Sequence, residues 1–261
     1  MEEKNLAIAV VGDFKYLRKH FYNFYQNLLN NGNYKGEVVV ITSKITPTLF
    51  IKSIRKNNRV KVVRFSNIKF SKDISKRYKN LNSKGQPNRF KSKYFQWFKV
   101  NLFDMYMKNW NYILYLDINL TIHFDINPLL KTLPKGKFFA KADGYPDYTR
   151  KLISQFDTSQ PEIAELKKEF NLEDSKYFQT GLMFYSTEFI NQNTKQEIIN
   201  IANAYPISLT NEQGILNLYF QTKKDLYEEL PEHVEDYLLY YYWIVKDQKI
   251  IITKQLVEQY K

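Results

Sequence analysis

Three apolar runs in this sequence end on a carboxylate. Leu6 to Val11 leads through Gly12 to Asp13, Asn111 to Leu116 leads to Asp117, and Lys137 to Ala142 leads to Asp143. Short apolar runs bounded by turn residues predict buried strands. Burying an unpaired charge is costly, so core packing does not explain a carboxylate at a strand tip. Such a group needs solvent, a metal or a partner cation. One of them alone is explained as a helix N-cap or a turn former. Three at predicted strand C-termini point further, because open parallel sheets bind ligands beyond that edge.

Other chemistry is thinly represented. The chain has no Cys, which excludes a disulfide scaffold, a thiolate zinc site and a cysteine nucleophile. Its 3 His leave little room for an all-His metal site. His233, after Pro231-Glu232, reads as an exposed loop residue. His123, one residue past Ile122, reads as structural or solvent-facing. Tyr237 to Trp243 is densely aromatic, suited either to stacking on sugar C–H faces or to ordinary core packing.

The 39 Lys and Arg against 27 Asp and Glu give a net charge of +12 over 261 residues. That charge attracts polyanions such as nucleic acid, phosphorylated lipid or a nucleotide diphosphate. The wealth of Lys, Asn, Ile, Tyr and Phe also fits codon bias from an AT-rich genome. Ser66 to Lys93 is strongly basic and reads as a long loop, either a solvated insertion or a lid over a bound diphosphate. Its Lys and Arg alternate with Asn and Ser without a groove-reading motif, so no specific nucleic-acid partner is expected. No apolar run reaches the ~18 residues that span a bilayer, and the start lacks the features of a secretory signal. A soluble, cytoplasmic protein is the expectation. The aromatic C-terminal half offers surface for a homodimer.

The elements that must position these groups follow from periodicity. Strands are predicted at Leu6–Val11, 37–42, 60–65, 111–117, 137–142, 177–185 and 249–253, and helices at 14–30, 47–57, 94–108, 161–170, 195–204 and 211–220. The strand–helix alternation of the first 65 residues predicts a parallel sheet with crossover helices. The expectation is one α/β domain whose C-terminal half is α+β.

The stretch Tyr112-Ile-Leu-Tyr-Leu-Asp117-Ile-Asn119-Leu-Thr121-Ile, followed by Asp125-Ile126-Asn-Pro-Leu129-Leu130, resembles the central motif of family 8, the glycogenin-like glycosyltransferases. In that motif an apolar strand leads to Asp-any-Asp, a second short strand and a helix. Lys99 resembles the family's diphosphate-contacting Lys, and Ala140-Lys-Ala-Asp143 its strand ending in a sugar-contacting Asp. Tyr177-Phe-Gln-Thr-Gly181 resembles its Asn-Ser-Gly strand, Asn211-Glu212-Gln213-Gly214 its Asp-Gln motif, and Val11 to Tyr16 its uracil-binding first turn. The ordered set runs from about residue 6 to 220.

The resemblance implies a GT-A, Rossmann-like fold with a mixed, mostly parallel sheet flanked by helices. Residues 1–125 would form the nucleotide-binding half and 126–261 the sugar and acceptor half. It implies a retaining enzyme that moves a sugar from a nucleotide-sugar, usually a UDP-sugar, to a glycan or protein hydroxyl. Mn²⁺ or Mg²⁺ held by Asp117 and Asn119, with help from Lys99, would stabilise the leaving diphosphate. Val11, Asp13 and Tyr16 would meet the base, Asp143 the sugar, and Glu212 and Gln213 the reacting centre.

The sequence departs from the family at three places. Asn119 replaces the second metal-binding Asp, which keeps an oxygen donor but removes a charge. The late His-any-any-Gly-any-any-Lys-Pro-Trp stretch is missing, and Thr253 or Lys254 stands where its His would be; Lys254 offers a fixed cation in place of the metal. Glu212 is one methylene longer than the family's Asp. These changes predict weak or dispensable metal binding. They also leave open a catalytically weak nucleotide- or glycan-binding protein with the same fold.

Overall fold

A computed structural model describes residues 5–83, 94–132, 134–143, 150–241 and 249–254, without the side chains of 82, 83, 94, 241 and 254. Strand β1 (Leu6–Val11) leads into helix α1 (Phe14–Asn30), followed by β2 (Glu37–Ser43), α2 (Thr48–Ile54), β3 (Val60–Phe65) and α3 (Lys72–Ser83). Next come β4 (Tyr112–Leu116), β5 (Leu120–Ile122), α4 (Asn127–Leu130), β6 (Phe138–Ala142), α5 (Glu162–Glu169), β7 (Phe178–Ser186), α6 (Thr194–Ala204) and α7 (Glu212–Asn217). The short strands β8 (Tyr227–Glu229), β9 (His233–Val234), β10 (Tyr237–Tyr241) and β11 (Ile250–Lys254) follow.

The main sheet has the order β3-β2-β1-β4-β7-β6-β8. Strands β1 to β4 run parallel, and β7 alone runs against its neighbours β4 and β6. Two antiparallel pairings in succession return β6 to the direction of β4. The C-termini of β1, β4 and β6 therefore share one edge with the N-terminal end of β7, and Asp13, Asp117 and Asp143 follow at that edge as the sequence predicts.

Alternate residues feed two hydrophobic clusters. Ala7, Ala9 and Val11 of β1 join one, with Trp97, Phe103 and Phe138. Ile8 and Val10 join the other, with Leu17, Phe24 and Leu28 of α1. Both faces of the strand are buried, which is why it reads as a continuous apolar run. A second sheet, β5-β11-β10-β9, lies beyond β4 in the chain. Among the described residues no helix is long and apolar enough to cross a membrane.

Three expectations are corrected. The segment read as a loop from Ser66 contains α3, which buries Tyr78, whose hydroxyl donates to the Ala202 carbonyl at 2.8 Å. Its apolar residues Ile74, Tyr78 and Leu81 keep helical spacing, but the Lys and Asn around them make the stretch read as a solvated loop. Positions 84–93 of that expected lid lie outside the described residues. The predicted helix at 94–108 is two 3-10 runs, Tyr94–Phe103 and Met105–Asn109; i, i+3 apolar spacing serves either helix type. The predicted helix at 211–220 is α7 continuing into a π-turn over Leu218–Lys223.

Candidate active site

Asp117 leaves β4 at the shared edge, and its backbone N–H donates to the Gly181 carbonyl of β7 at 2.8 Å. Tyr115 stands two residues earlier on the strand, hence on the same face. Its hydroxyl donates to Asp117 Oδ1 at 2.6 Å. Lys99 arrives from the first 3-10 run, with its Nζ 3.1 Å from Asp117 Oδ1 and 3.3 Å from Glu212 Oε1. The same ammonium donates to the Thr180 carbonyl at 3.1 Å and to Thr180 Oγ1 at 3.2 Å. Thr180 Oγ1 in turn donates to Glu212 Oε1 at 3.2 Å.

Lys99 and Glu212 are both buried, and Glu212 Oε2 finds no hydrogen-bond partner among the described residues. One ammonium between two carboxylates cannot neutralise both. Burial pushes the Glu212 carboxyl above its ordinary pKa; Lys99 pulls against that, while the Asp117 charge adds to it. Burial likewise opposes charge on Lys99, but Asp117 and Glu212 together outweigh it and hold the ammonium above its usual range. Glu212 opens α7 behind Asn211, whose backbone takes the unusual positive φ of 54°. The Asn211 side chain donates to Gln96 Oε1 at 2.9 Å, which helps hold that conformation.

Asp143 forms the second acidic point. Tyr177 and Gln179 of the neighbouring strand both donate to it, and Arg150 Nη1 lies 3.5 Å away. Gln179 also accepts from the Tyr240 hydroxyl at 3.2 Å. That hydroxyl lies 3.2 Å from where a Cβ on Gly181 would stand, and Asp117 Oδ2 lies 3.5 Å from the same point. Gly181 therefore leaves the gap between Tyr240 and Asp117 open. Hydrogen bonds join Asp143, Gln179 and Tyr240, and the space over Gly181 is bordered by the Tyr240 hydroxyl and Asp117.

Asp13 has a mainly local role. It caps α1, accepting the Tyr16 N–H at 2.7 Å. The cap fixes Tyr16, 38% exposed, at the pocket rim. Burial raises the Tyr16 pKa, and the Asp117 and Asp13 charges raise it further. Val11 is buried in the strand end. Gln213 has both ends of its amide occupied: Oε1 accepts the Thr180 N–H at 3.2 Å and Nε2 donates to Gln155 Oε1 at 2.9 Å.

Two expected ligands sit apart from these bonds. Asn119, half-buried in the turn between β4 and β5, makes no side-chain hydrogen bond among the described residues. Lys254 pairs its backbone with Leu120, two residues past Ile118, but its side chain lies outside the described residues. Thr253 is buried and bonds His123 Nε2 at 2.8 Å, so His123 is structural. His233 is exposed on β9, and Tyr240, within the aromatic stretch, is largely core. Positions 242–248 of that stretch lie outside the described residues.

A resident divalent ion fits this donor set poorly. The oxygen ligands suit Mg²⁺ or Mn²⁺ in type. Asp117, however, supplies the one carboxylate of the expected pair, and the Lys99 ammonium already lies 3.1 Å from it. Among the described residues no group of three His, Cys, Asp or Glu is placed to hold a metal. The described residues do not make a site that retains an ion by itself.

The model of glycosyl transferase family 8 matches residues 7–248. The chain belongs to that family. Its fold is that of the GT-A glycosyltransferases. It resembles the galactosyltransferase LgtC in complex with donor and acceptor sugar analogues, at TM-score 0.55 and 13% identity over 90% of this chain and 75% of that one. Mouse xyloside xylosyltransferase 1 superposes at TM-score 0.53 and 10% identity, covering 97% of this chain and 98% of that one. The bifunctional glycosyltransferase WbbM gives TM-score 0.59 and 15% identity; the chain is covered to 98% but spans 46% of that protein. No curated protein matches significantly in sequence.

Asp117, Lys99 and Glu212 are joined by ion pairs, and Asp143 follows its strand at the same edge of the sheet. Sequence reasoning missed Tyr115, Thr180, Gln179 and Tyr240. Tyr115 was legible, because residues two apart on a strand share a face. The others depend on β7 pairing antiparallel with β4, which no local pattern announces.

Proposed function

We propose that this glycosyltransferase transfers a sugar from a nucleotide-sugar, with a UDP-sugar as the first donor to test, to a hydroxyl of a glycan or protein with retention at the anomeric carbon. The observation that carries this reading is the convergence of Asp117, Asp143 and the Lys99–Glu212 pair on one pocket at the C-terminal edge of the sheet. Residues 1–125 hold the nucleotide and 126–261 the sugar and acceptor. Tyr16, fixed by the Asp13 cap beside Val11, stacks at the base. Asp143, held by Tyr177 and Gln179, accepts from sugar hydroxyls. Lys99 keeps a permanent positive charge beneath the place where the diphosphate gains negative charge.

Glu212 is sealed beneath Lys99, so its role is to position that ammonium and to tune its charge. Burial argues against a direct contact of Glu212 with the reacting centre, whereas Gln213, half-buried and bonded to the Thr180 N–H, keeps that expected role.

The replacement of the second Asp by Asn119 favours a second reading: a weakly active protein that binds nucleotide or glycan in the same pocket. A panel of nucleotide-sugars with simple glycan acceptors separates the two. Transfer giving a product of retained anomeric configuration, lost in Asp117→Asn and Asp143→Asn variants that still fold, supports the enzyme. Tight nucleotide-diphosphate binding without turnover supports the binding protein. If no donor is cleaved and no nucleotide diphosphate binds, both readings fall.

A further inference from the structure

A strongly basic surface lies at the edge of the main sheet formed by β2 and β3. Residues 38–72 carry nine Lys and Arg and no Asp or Glu. They build β2, the exposed turn after it, α2, and β3, which is the open edge of the main sheet. Two large aliphatic side chains stand out from this basic surface: Ile45 is 86% exposed and Leu49 81% exposed. A groove of about 470 Å³ opens next to them, lined by Lys44, Arg64, Phe65, Lys69 and Lys195. Arg64 is anchored by the Lys44 and Thr46 carbonyls, and Lys195 is held by Asp104 at 3.0 Å and lies over the Phe65 ring. Lys44 and Lys69 are exposed and make no ion pair among the described residues.

The combination of aliphatic tips with unbalanced cations narrows the partner. Nucleic acid is drawn to the cations but gains nothing from two protruding aliphatic side chains. An acidic protein surface would meet the cations while leaving Ile45 and Leu49 in water unless it carried a matching hollow. An anionic bilayer satisfies both at once, taking aliphatic groups into its interface while its headgroup phosphates meet Lys and Arg. We propose that the turn Lys44–Leu49 and the Lys44/Arg64/Lys69 groove dock this protein on an anionic phospholipid surface.

The position gives the docking a use. The turn follows β2 at the same edge of the sheet that carries Asp117. Phe50 of α2 meets Phe14 of α1 edge-on at 5.2 Å, two residues from Tyr16 at the rim. A membrane held there faces the mouth of the donor pocket and presents acceptors carried on lipid. This last clause rests on the proposed transferase reading; the docking does not.

Co-sedimentation of the full chain with phosphatidylcholine vesicles, with and without phosphatidylglycerol, tests the proposal. Binding is expected on the phosphatidylglycerol vesicles and is expected to weaken with salt. Ile45→Ser/Leu49→Ser lowers partitioning by at least about tenfold at unchanged charge. Lys44→Glu/Lys69→Glu removes binding. All four positions are exposed, so thermal midpoints stay at the parent value. Absence of vesicle binding overturns the proposal. So does binding that survives Ile45→Ser/Leu49→Ser, because charge alone then suffices, and so does RNA binding lost with Lys44→Glu/Lys69→Glu while vesicles are ignored. These readouts are independent of donor turnover, so an inactive but membrane-bound protein defeats the transferase reading and leaves the docking intact.

Discussion

Lys99 and Glu212 face each other across 3.3 Å beneath the sheet edge, and the same ammonium lies 3.1 Å from Asp117. The group of three carries one positive charge against two acids. Lys99→Met leaves buried Glu212 and half-buried Asp117 without that cation. Loss of one partner of a buried pair costs about 3–5 kcal/mol. The expected result is a large fall in Tm, with nucleotide binding lost even below that temperature. A Tm within error of the parent would show that the carboxylates find other partners.

Glu212 also predicts a pH dependence. Burial raises its pKa in the folded chain above that of the unfolded chain. A raised pKa contributes stability that is fully present below the unfolded value of about 4.3 and is lost as pH rises through the folded value. The parent protein should therefore lose stability over that window relative to Glu212→Gln, which has no proton to release there. Urea unfolding of both proteins at a series of pH values measures the difference. Parallel curves would mean that Lys99 offsets the burial fully and leaves the Glu212 pKa unchanged on folding.

Asn119→Asp restores the second carboxylate of the Asp-any-Asp pattern beside Asp117. Added ligand charge raises affinity for Mn²⁺ or Mg²⁺. A ligand at about 100 times its Kd stabilises by about 2.7 kcal/mol. Millimolar Mn²⁺ is expected to raise the variant's Tm clearly while shifting the parent little. Equal shifts in the two proteins would show that an ion is held elsewhere.

The strands of the main sheet were legible because buried parallel strands are short apolar runs, and their tips were marked by Asp13, Asp117 and Asp143. What those tips do was less legible. Asp13 and Asp117 look alike in sequence, yet one caps α1 and the other meets Lys99. The difference lies in which neighbour supplies a cation, and Lys99 comes from a segment distant in sequence. The second sheet stayed hidden because β5 and β9 are only three and two residues long, below any periodicity. Helix α3 was overlooked although Ile74, Tyr78 and Leu81 keep i, i+4, i+7 spacing, because the Lys and Asn between them dominate the stretch.

Tyr78 is the pin that holds α3 down. Its ring packs 4.9 Å from Trp97 and 5.4 Å from Phe70, and its hydroxyl donates to Ala202. Arg77 adds an ion pair to Glu162. Removing a buried aromatic side chain costs about 3–5 kcal/mol. Tyr78→Ala is expected to lower Tm and open 72–83 to trypsin, whereas Tyr78→Phe, which loses one hydrogen bond, costs only about 1 kcal/mol. Because α3 is anchored in the folded chain, its cleavage rate in the parent should be the same with and without UDP. Protection by UDP would restore the expected lid.

Gly181 sets the clearance of the pocket. A Cβ there would meet the Tyr240 hydroxyl at 3.2 Å and Asp117 Oδ2 at 3.5 Å. The first distance is too close for comfort and the second is ordinary contact, so the methyl of Gly181→Ala presses chiefly on Tyr240. That hydroxyl is bonded to Gln179, which also donates to Asp143. The strain therefore passes to the sugar side of the pocket, while Asp117 and Lys99 keep their places. Overpacking of this kind costs about 1–3 kcal/mol. Donor affinity should fall more than stability, by about tenfold or more. Tyr240→Phe removes the crowded oxygen, so the double variant Gly181→Ala/Tyr240→Phe should bind donor better than Gly181→Ala alone. Calorimetric titration of a nucleotide-sugar into the three variants decides it. Additive losses would place the two residues in separate environments and break the link between Asp143 and Asp117.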